Sequence, residues 1–345
     1  MILTIVVFFL VLSVLVFVHE LGHFYCARKF GVKAGEFGFG FPPRICGWQR
    51  LIDETKKIKK WRFIAGNKNV ESLPAPEGFR SDTVYSLNWI PMGGFVNIKG
   101  ENGDFQNDPD SFGHKKIWKR AVILSAGVFM NVVLGIVCLI FAFIIGAPQI
   151  IDKNYTGAEV KNEKIQIMSV LPDSPAAKAG LKMGDAIVSV DNVVYNNVED
   201  VKNLTAKSNG KEISLKIDRY GTPLSFKLKP EILPKMSEPA MGASLAKTGV
   251  IRYPWYKAIW LGIISAYSMF IQIIAAFAMI IKNAVIGQPI GADVAGPVGI
   301  AVMTGQMARL GFVYILQFTA LLSMNLAIIN FLPFPALDGG RVLFL

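Results

Sequence analysis

Histidine is almost missing from this chain of 345 residues, which holds three against 36 lysines and arginines. Cysteine is as scarce, and Cys26, Cys46 and Cys138 are scattered and odd in number, so neither a disulfide framework nor a cysteine-built zinc cluster follows. Acidic residues are outnumbered 25 to 36, leaving a formal charge of +11. The basic residues form no aromatic-interleaved patch, so the excess suits anionic lipid headgroups, and no nucleic-acid partner is expected. From Ile2 to Val18 charge is absent altogether. At about 1.5 Å per residue that run covers most of a hydrocarbon core of roughly 30 Å. No basic segment precedes it and no small-x-small cleavage site follows, which favours a retained membrane helix over a cleaved signal peptide. With 52% hydrophobic residues and a mean hydropathy of +0.42, the chain is too apolar for an ordinary cytosolic domain and too charged for a bare helix bundle.

Two of the three histidines stand together in Val18-His19-Glu20-Leu21-Gly22-His23-Phe24, where the apolar run ends. Four residues apart on a helix, His19 and His23 share one face and can bind one Zn²⁺. In an H-E-x-x-H arrangement the intervening glutamate, here Glu20, is not a ligand; it takes a proton from a zinc-activated water. The bland reading is an amphipathic helix end meeting headgroups, but an ionisable cluster at membrane depth marks a functional site by default. The third histidine, His114, lies in a polar, basic stretch and reads as a solvated surface residue.

Residues 24 to 120 carry 17 Lys/Arg against 10 Asp/Glu, which by the positive-inside rule makes this region cytoplasmic. Phe37 to Pro43 and Tyr85 to Lys99 alternate aromatic residues and glycine as short strands and turns do, while the Lys56 to Lys60 run and the Pro74/Pro76 segment read as a solvated loop. Two readings stand: a β-hairpin dipping into the membrane edge, whose free strand edge could hold an extended substrate, or a small cytoplasmic sheet. Ala121 to Ala147 is a second span, in which Gly127, Asn131 and Gly135 recur every four residues on a face expected against the first helix. Asn131 either hydrogen-bonds between helices or reaches the active-site cleft. Beyond Pro148 a soluble α+β domain follows, with strands at Ile165 to Val170 and Ala186 to Val190, a short helix capped by Ser174, a helix from Val198 to Ala206 and a hairpin of Lys211 to Arg219 with Leu224 to Leu228. Trp255 to Lys282 is apolar again. A glycine- and proline-rich link, Gly287 to Gly299, leads to a last apolar helix, Gly311 to Leu332, which carries Asn325 and Asn330. Two histidines leave zinc short of a protein ligand, and Asp338, set after Pro333 and Pro335 and before Gly339-Gly340, is the candidate third. The two glycines let backbone pass close to another element.

Ser174-Pro-Ala-Ala-x-Ala-Gly-Leu-x-x-Gly-Asp-x-Ile187 resembles the signature of bacterial PDZ domains, which implies a groove that receives an extended peptide or chain terminus; a steric cap without ligand is the alternative. His-Glu-Leu-Gly-His, Phe-Gly-Phe-Gly-Phe-Pro-Pro, Gly127 to Asn131 and Asn-x-x-Pro-x-Pro-x-Leu-Asp-Gly together resemble the bacterial site-2 proteases, specifically the RseP-like branch of intramembrane zinc metallopeptidases. The resemblance implies His19, His23 and Asp338 as zinc ligands, Glu20 as catalytic base, and Asn330, Pro333 and Pro335 toward the substrate; Asn131 and Asn325 are further substrate-facing candidates. It implies transmembrane protein substrates, such as anti-sigma factors or remnant signal peptides, in the bacterial inner membrane with the PDZ domain outside the cytoplasm. Two departures stand out. The branch's namesake has two tandem PDZ domains and this chain one, and the chain stops at Leu345, where the family continues through another span, as in a truncated fragment.

The expected plan is a multi-pass α-helical membrane protein with a membrane-associated β-hairpin region and an α+β PDZ domain: a first transmembrane helix over 1–27, a cytoplasmic or re-entrant β region over 28–118, a second transmembrane helix over 119–147, a PDZ domain over 160–235, an amphipathic or membrane-embedded helix over 255–283 and a last transmembrane helix over 310–345. For Asp338 to meet the histidines near the inner face, the 255–283 segment must cross the membrane an even number of times. A narrow polar stripe of Lys257, Ser265, Ser268, Gln272 and Lys282 suits a helix that lies in the outer interface or dips and returns. The rival to a peptidase is a membrane-anchored PDZ scaffold or chaperone with a structural zinc, which has no need of Glu20.

Overall fold

A computed structural model describes residues 2–53, 59–66, 75–151, 158–208, 210–233, 238–287 and 296–345. The chain divides into two compact units, one formed by Met1–Ile140, Trp260–Ala308 and Ile315–Leu345, the other by Phe141–Ile259 and Arg309–Tyr314.

In the first unit the uncharged run forms α1 (Ile2–Lys29), whose last turn carries Arg28 and Lys29, cations that suit the negative end of the helix dipole. An antiparallel sheet follows, in the order β2-β1-β3, built from β1 (Ala34–Asp53), β2 (Lys59–Ala65) and β3 (Phe79–Ile98). The short strands expected from sequence are in fact two of 20 residues each, because breaks in register between Phe39 and Cys46 let β1 bend without leaving the sheet. Its first part pairs with both halves of β3, Phe37 with Val96 and Tyr85, Phe39 with Gly94 and Leu87; its second part runs from Arg44 opposite Asn88 to Asp53 opposite Phe79. Part of the charged stretch read as loop is strand: β2 pairs with Cys46 to Ile52, and Arg62 donates to the buried Gln49 amide oxygen. Lysines on such an edge discourage further strand addition. The rest of that expected loop, residues 56–58 and Pro74, lies outside the described residues.

The sheet is fixed to α1 at two levels. At the helix end, Asp82 accepts hydrogen bonds from Arg28 (3.0 Å) and Arg50 (2.7 Å). Burial alone would raise the Asp82 carboxyl, but the two guanidinium groups outweigh it and hold it down at about 2. Further up, Ser13 Oγ donates to the Pro91 carbonyl at 2.7 Å, and Gly93, at φ 112°, leaves room for Val16 where a side chain would sit. Phe37 lies between Phe17 and Phe24, with ring centroids at 5.2 and 4.7 Å. The tip of the sheet exposes Phe41, Trp89, Ile90 and Met92. From there the chain passes exposed His114 into α2 (Ile117–Ile145), whose Ile123 and Leu124 pack with Ala27, Val32, Ile98 and Phe112.

The second unit is a six-stranded sheet in the order β4-β11-β5-β6-β7-β8, made of β4 (Ala147–Ile150), β5 (Glu159–Val170), β6 (Ala186–Val190), β7 (Ile213–Arg219), β8 (Thr222–Leu228) and β11 (Ala243–Arg252). It carries the helices α3 (Pro175–Lys178) and α4 (Val198–Lys207), and a two-residue ladder joins β9 (Glu231–Ile232) to β10 (Pro239–Ala240). Ser174 caps α3 through a hydrogen bond from Ala177 N, and Gly180 at φ 83° turns the chain away. The Gly-Asp of the motif has a physical reason: Asp185, fully buried, accepts two hydrogen bonds from Arg219, at 2.7 and 2.8 Å, and one from Lys182 N. The sheet runs past residue 235 because β11 pairs with β5 on one side and β4 on the other. Its Lys, Thr and Gly give it little strand signal of its own, so neighbours on both sides decide its structure.

From Trp260 the chain is mostly in the first unit again: α5 (Trp255–Ile286) is followed by α6 (Pro297–Leu310), α7 (Phe312–Phe331) and α8 (Asp338–Leu343). The expected link over Gly287–Gly299 thus gives its end to a helix, while residues 288–295 lie outside the described ones. Among the described residues α1, α2, α5 and α7 are long and apolar enough to cross a membrane. Cys138 and Leu139 of α2, Ala266 and Ile273 of α5, and Ala320, Met324 and Ile328 of α7 share one core. The glycine stripe of α2 divides its contacts: Gly127 meets α1, as expected, whereas Gly135 lies against Met324 and Ala320 of α7.

Candidate active site

α1 brings His19 and His23 to one face, both buried, and α8 delivers Asp338 to the same point. Asp338 lies beyond the end of the long helix, as the sequence suggests. Pro333 and Pro335 stop α7, and Asp338 opens a separate helix. Gly339 and Gly340 permit the turn because side chains there would meet the carbonyls of Phe331, at the end of α7, and of Phe334 in the link, so the expected close approach is to the helix just before.

His19 Nε2 lies 2.9 Å from Asp338 Oδ2, His23 Nε2 lies 3.3 Å from the same oxygen, and the two Nε2 atoms are 3.1 Å apart. His23 Nδ1 donates to the Ile123 carbonyl at 2.8 Å, and since a carbonyl only accepts, the His23 lone pair is on Nε2. Asp338 Oδ2 is buried against both ring nitrogens. His23 Nε2 and Asp338 Oδ2 are both acceptors, 3.3 Å apart, with at most the one ring proton of His19 to share, and such a crowding of donor atoms suits a cation. Ligands at about 2.0–2.1 Å from a tetrahedral Zn²⁺ stand about 3.3 Å from one another, so donor type and spacing both fit zinc.

α2 makes room for this cluster. A side chain at Gly127 would overlap both imidazoles, and one at Gly22 would meet the Ala126 backbone. Asn131, fully buried, places its amide 3.1 Å from His19 Nδ1, and its own carbonyl accepts from Ser323 of α7 at 2.7 Å. Glu20 interacts electrostatically with His23, His19, Asp338 and Glu101. Glu101, on the turn after β3, pairs with Arg341, one turn along α8 from Asp338.

Of the residues read as facing substrate, only Asn131 touches the cluster. Asn325 donates to Leu321 one turn back in its own helix, and Asn330 sits half-buried in the last turn of α7. Pro333 and Pro335 are exposed, Pro335 beside a cavity of about 380 Å³ that Glu101 and Arg341 also line. Sequence reasoning misses Ile123, Ser323 and the Glu101–Arg341 pair. A backbone carbonyl leaves no trace in residue type, and the others depend on which distant turns meet.

Two imidazoles and a carboxylate with an adjacent glutamate, carried on helices fit to cross a bilayer, define a membrane-bound zinc metalloprotease. The chain matches Peptidase family M50 over residues 7–58 and 75–345, and it belongs to that family. It is similar to proteins named "putative zinc metalloprotease": one from Clostridium perfringens at 31% identity, covering 96% of this chain and 84% of the relative, and one from Nostoc at 30%, covering 97% and 83%. Another, from Rhizobium meliloti, is 28% identical and covers 99% of this chain and 86% of its own. Among solved structures, the PDZ domain of an SdrC-like protein from Listeria monocytogenes aligns with 25% of this chain and 92% of its own at 22% identity, with a TM-score of 0.23.

Proposed function

We propose that this metalloprotease cuts peptide bonds within the membrane, in the transmembrane segments of other proteins. The observation that carries the reading is the convergence of His19, His23 and Asp338 on one point, with the two histidines on a helix that has no charge before His19. On this reading those three residues hold the zinc, which when bound supplies Lewis acidity toward a water molecule and a peptide carbonyl. Ile123 fixes the His23 ring through its Nδ1 proton. Glu20 takes the proton of the attacking water as the new C–O bond forms, then gives it to the amide nitrogen as the C–N bond breaks, releasing a carboxyl and an amino terminus. The bond to be cut must be out of helical conformation, since a helical amide is hydrogen-bonded and shielded. The bent strands beside α1 support an edge for such an unwound segment. Ser13, Val16 and Phe17, which the sheet tip touches, precede His19 on the apolar helix, so the tip with Phe41 and Trp89 enters the membrane. The basic excess of residues 24 to 120 puts that side in the cytoplasm of a bacterial inner membrane, and one span later the six-stranded domain lies outside, where its PDZ-like motif suits a peptide or chain terminus.

Glu20→Gln separates this reading from a scaffold with a structural zinc. The variant keeps its zinc while cleavage of a transmembrane substrate falls by about 10²–10⁴-fold, the range for losing a general base. Metal analysis and cleavage of a reconstituted substrate measure the two arms, and undiminished cleavage with zinc retained rules out Glu20 as the base.

A further inference from the structure

Asn131 lies within the cluster, yet its surroundings assign it a task other than holding substrate. Its side chain is fully buried between α1 and α7, with its backbone carbonyl tied by Ser323 Oγ at 2.7 Å. Its amide meets His19 Nδ1 at 3.1 Å, on the ring edge away from Asp338 and His23. As placed, Nδ2 faces the ring, and the amide oxygen is buried with no partner. In that orientation Nδ2 donates to Nδ1, the His19 proton is on Nε2, and Nε2–H points at the Asp338 carboxylate 2.9 Å away. Such a His19 has no lone pair for a metal. Turning the amide end for end moves no heavy atom appreciably, since its N and O differ little in size and position. The oxygen then accepts from Nδ1–H, and Nε2 presents its lone pair to the same point as His23 Nε2. His23 already has this tautomer, enforced by a carbonyl that cannot donate.

We infer that Asn131 is a positioning residue whose amide oxygen, in the zinc-loaded protein, accepts the Nδ1 proton of His19 and so sets the tautomer that binds metal. This rests on the zinc reading of the cluster. The amide can serve either state of the site, donating to His19 when metal is away and accepting from it when metal is bound. Partners that orient a ligating histidine change metal affinity by about 10–100-fold.

The test is zinc affinity, measured on the whole 345-residue chain in detergent by competition with a chromogenic chelator, with the visible spectrum of the Co²⁺-substituted protein as a second readout. Asn131→Asp has the same shape and can only accept. It binds Zn²⁺ at least as tightly as the unmodified protein, with an unchanged Co²⁺ spectrum. Asn131→Leu can neither donate nor accept, and binds about 10–100-fold more weakly. A merely structural asparagine reverses the order, since a buried carboxylate disturbs packing more than a leucine does. If Asn131→Asp binds as weakly as Asn131→Leu, or if Asn131→Leu binds as the unmodified protein does, the inference is wrong. Should the leucine variant fail to fold, the aspartate variant decides alone, because an asparagine that donated to His19 in the loaded state loses its bond on that change. Failure of the unmodified protein to bind zinc would overturn the zinc reading itself, a different result from either of these.

Discussion

At the scale of single residues, the site shows which chemistry is local in sequence and which is not. His19, Glu20 and His23 lie within one helical turn, so their spacing alone announces them. Asp338 is legible only because a zinc site needs a third ligand and the last motif offers a carboxylate. Ile123 acts through its carbonyl, which every residue possesses. Gly127 stands between these cases: a small residue in an apolar helix suggests close approach, but only the structure reveals that the neighbours are the two imidazoles. The consequence is testable. A Cβ at Gly127 falls 2.7 Å from His19 Nε2 and closer still to His23 Nε2. The obstacle is rigid, since both rings are held through their far nitrogens. Gly127→Ala therefore loses zinc, its affinity falling more than about tenfold, while helix content measured by circular dichroism is unchanged. An alanine variant with normal zinc content would show that α1 and α2 separate easily.

At the scale of elements, long apolar runs reveal α1, α2 and α7, and their edges are close to those read from sequence because apolar runs and helix breakers coincide. The strands are less legible. β1 is set by bulges and by pairing on both sides, and β11 by strands far away in sequence, neither of which a local window contains. α5 poses a separate question. It is unbroken over 32 residues, which excludes a dip and return within the helix itself. α6, at 14 residues, reaches about 21 Å, short of the roughly 30 Å of a hydrocarbon core. Yet on the proposed topology the chain between the six-stranded domain and α7 crosses an even number of times for Asp338 to reach the histidines. We therefore predict that α5 is embedded obliquely from the outer side, packed through Ala266 and Ile273, and does not reach the inner face. With the native cysteines replaced, Lys257→Cys and Lys282→Cys both react with an impermeant thiol reagent added from outside. Reaction of Lys282→Cys from the cytoplasm alone would make α5 a true span.

At the scale of the whole molecule, the residues proposed for chemistry all belong to one of the two units, and the six-stranded domain contributes none of them. Its role is then to select what reaches the membrane, a reading that a clean excision tests. Removing residues 160 to 235 would leave Ala243 to Ala246, which pair with β5 alone, without a partner, whereas removing 152–246 and closing with a short glycine-serine linker takes them away as well and keeps the ladder of Ala147–Ile150 against Thr248–Ile251. The shortened protein cleaves a short transmembrane peptide as the full chain does and also accepts substrates with bulky outer domains. A folded, zinc-loaded excision variant that cuts neither would give the domain a part in catalysis. The division of the site among α1, α2 and α8 bears on biosynthesis as well. Asp338 leaves the ribosome 319 residues after His19. Until then the nascent chain carries its glutamate and both histidines into a bilayer crowded with other helices, but it lacks one arm of the proposed metal clasp. If these three residues hold the metal as proposed, a hydrolase assembled in this order stays inert throughout its own insertion and arms itself only once α7 is in place.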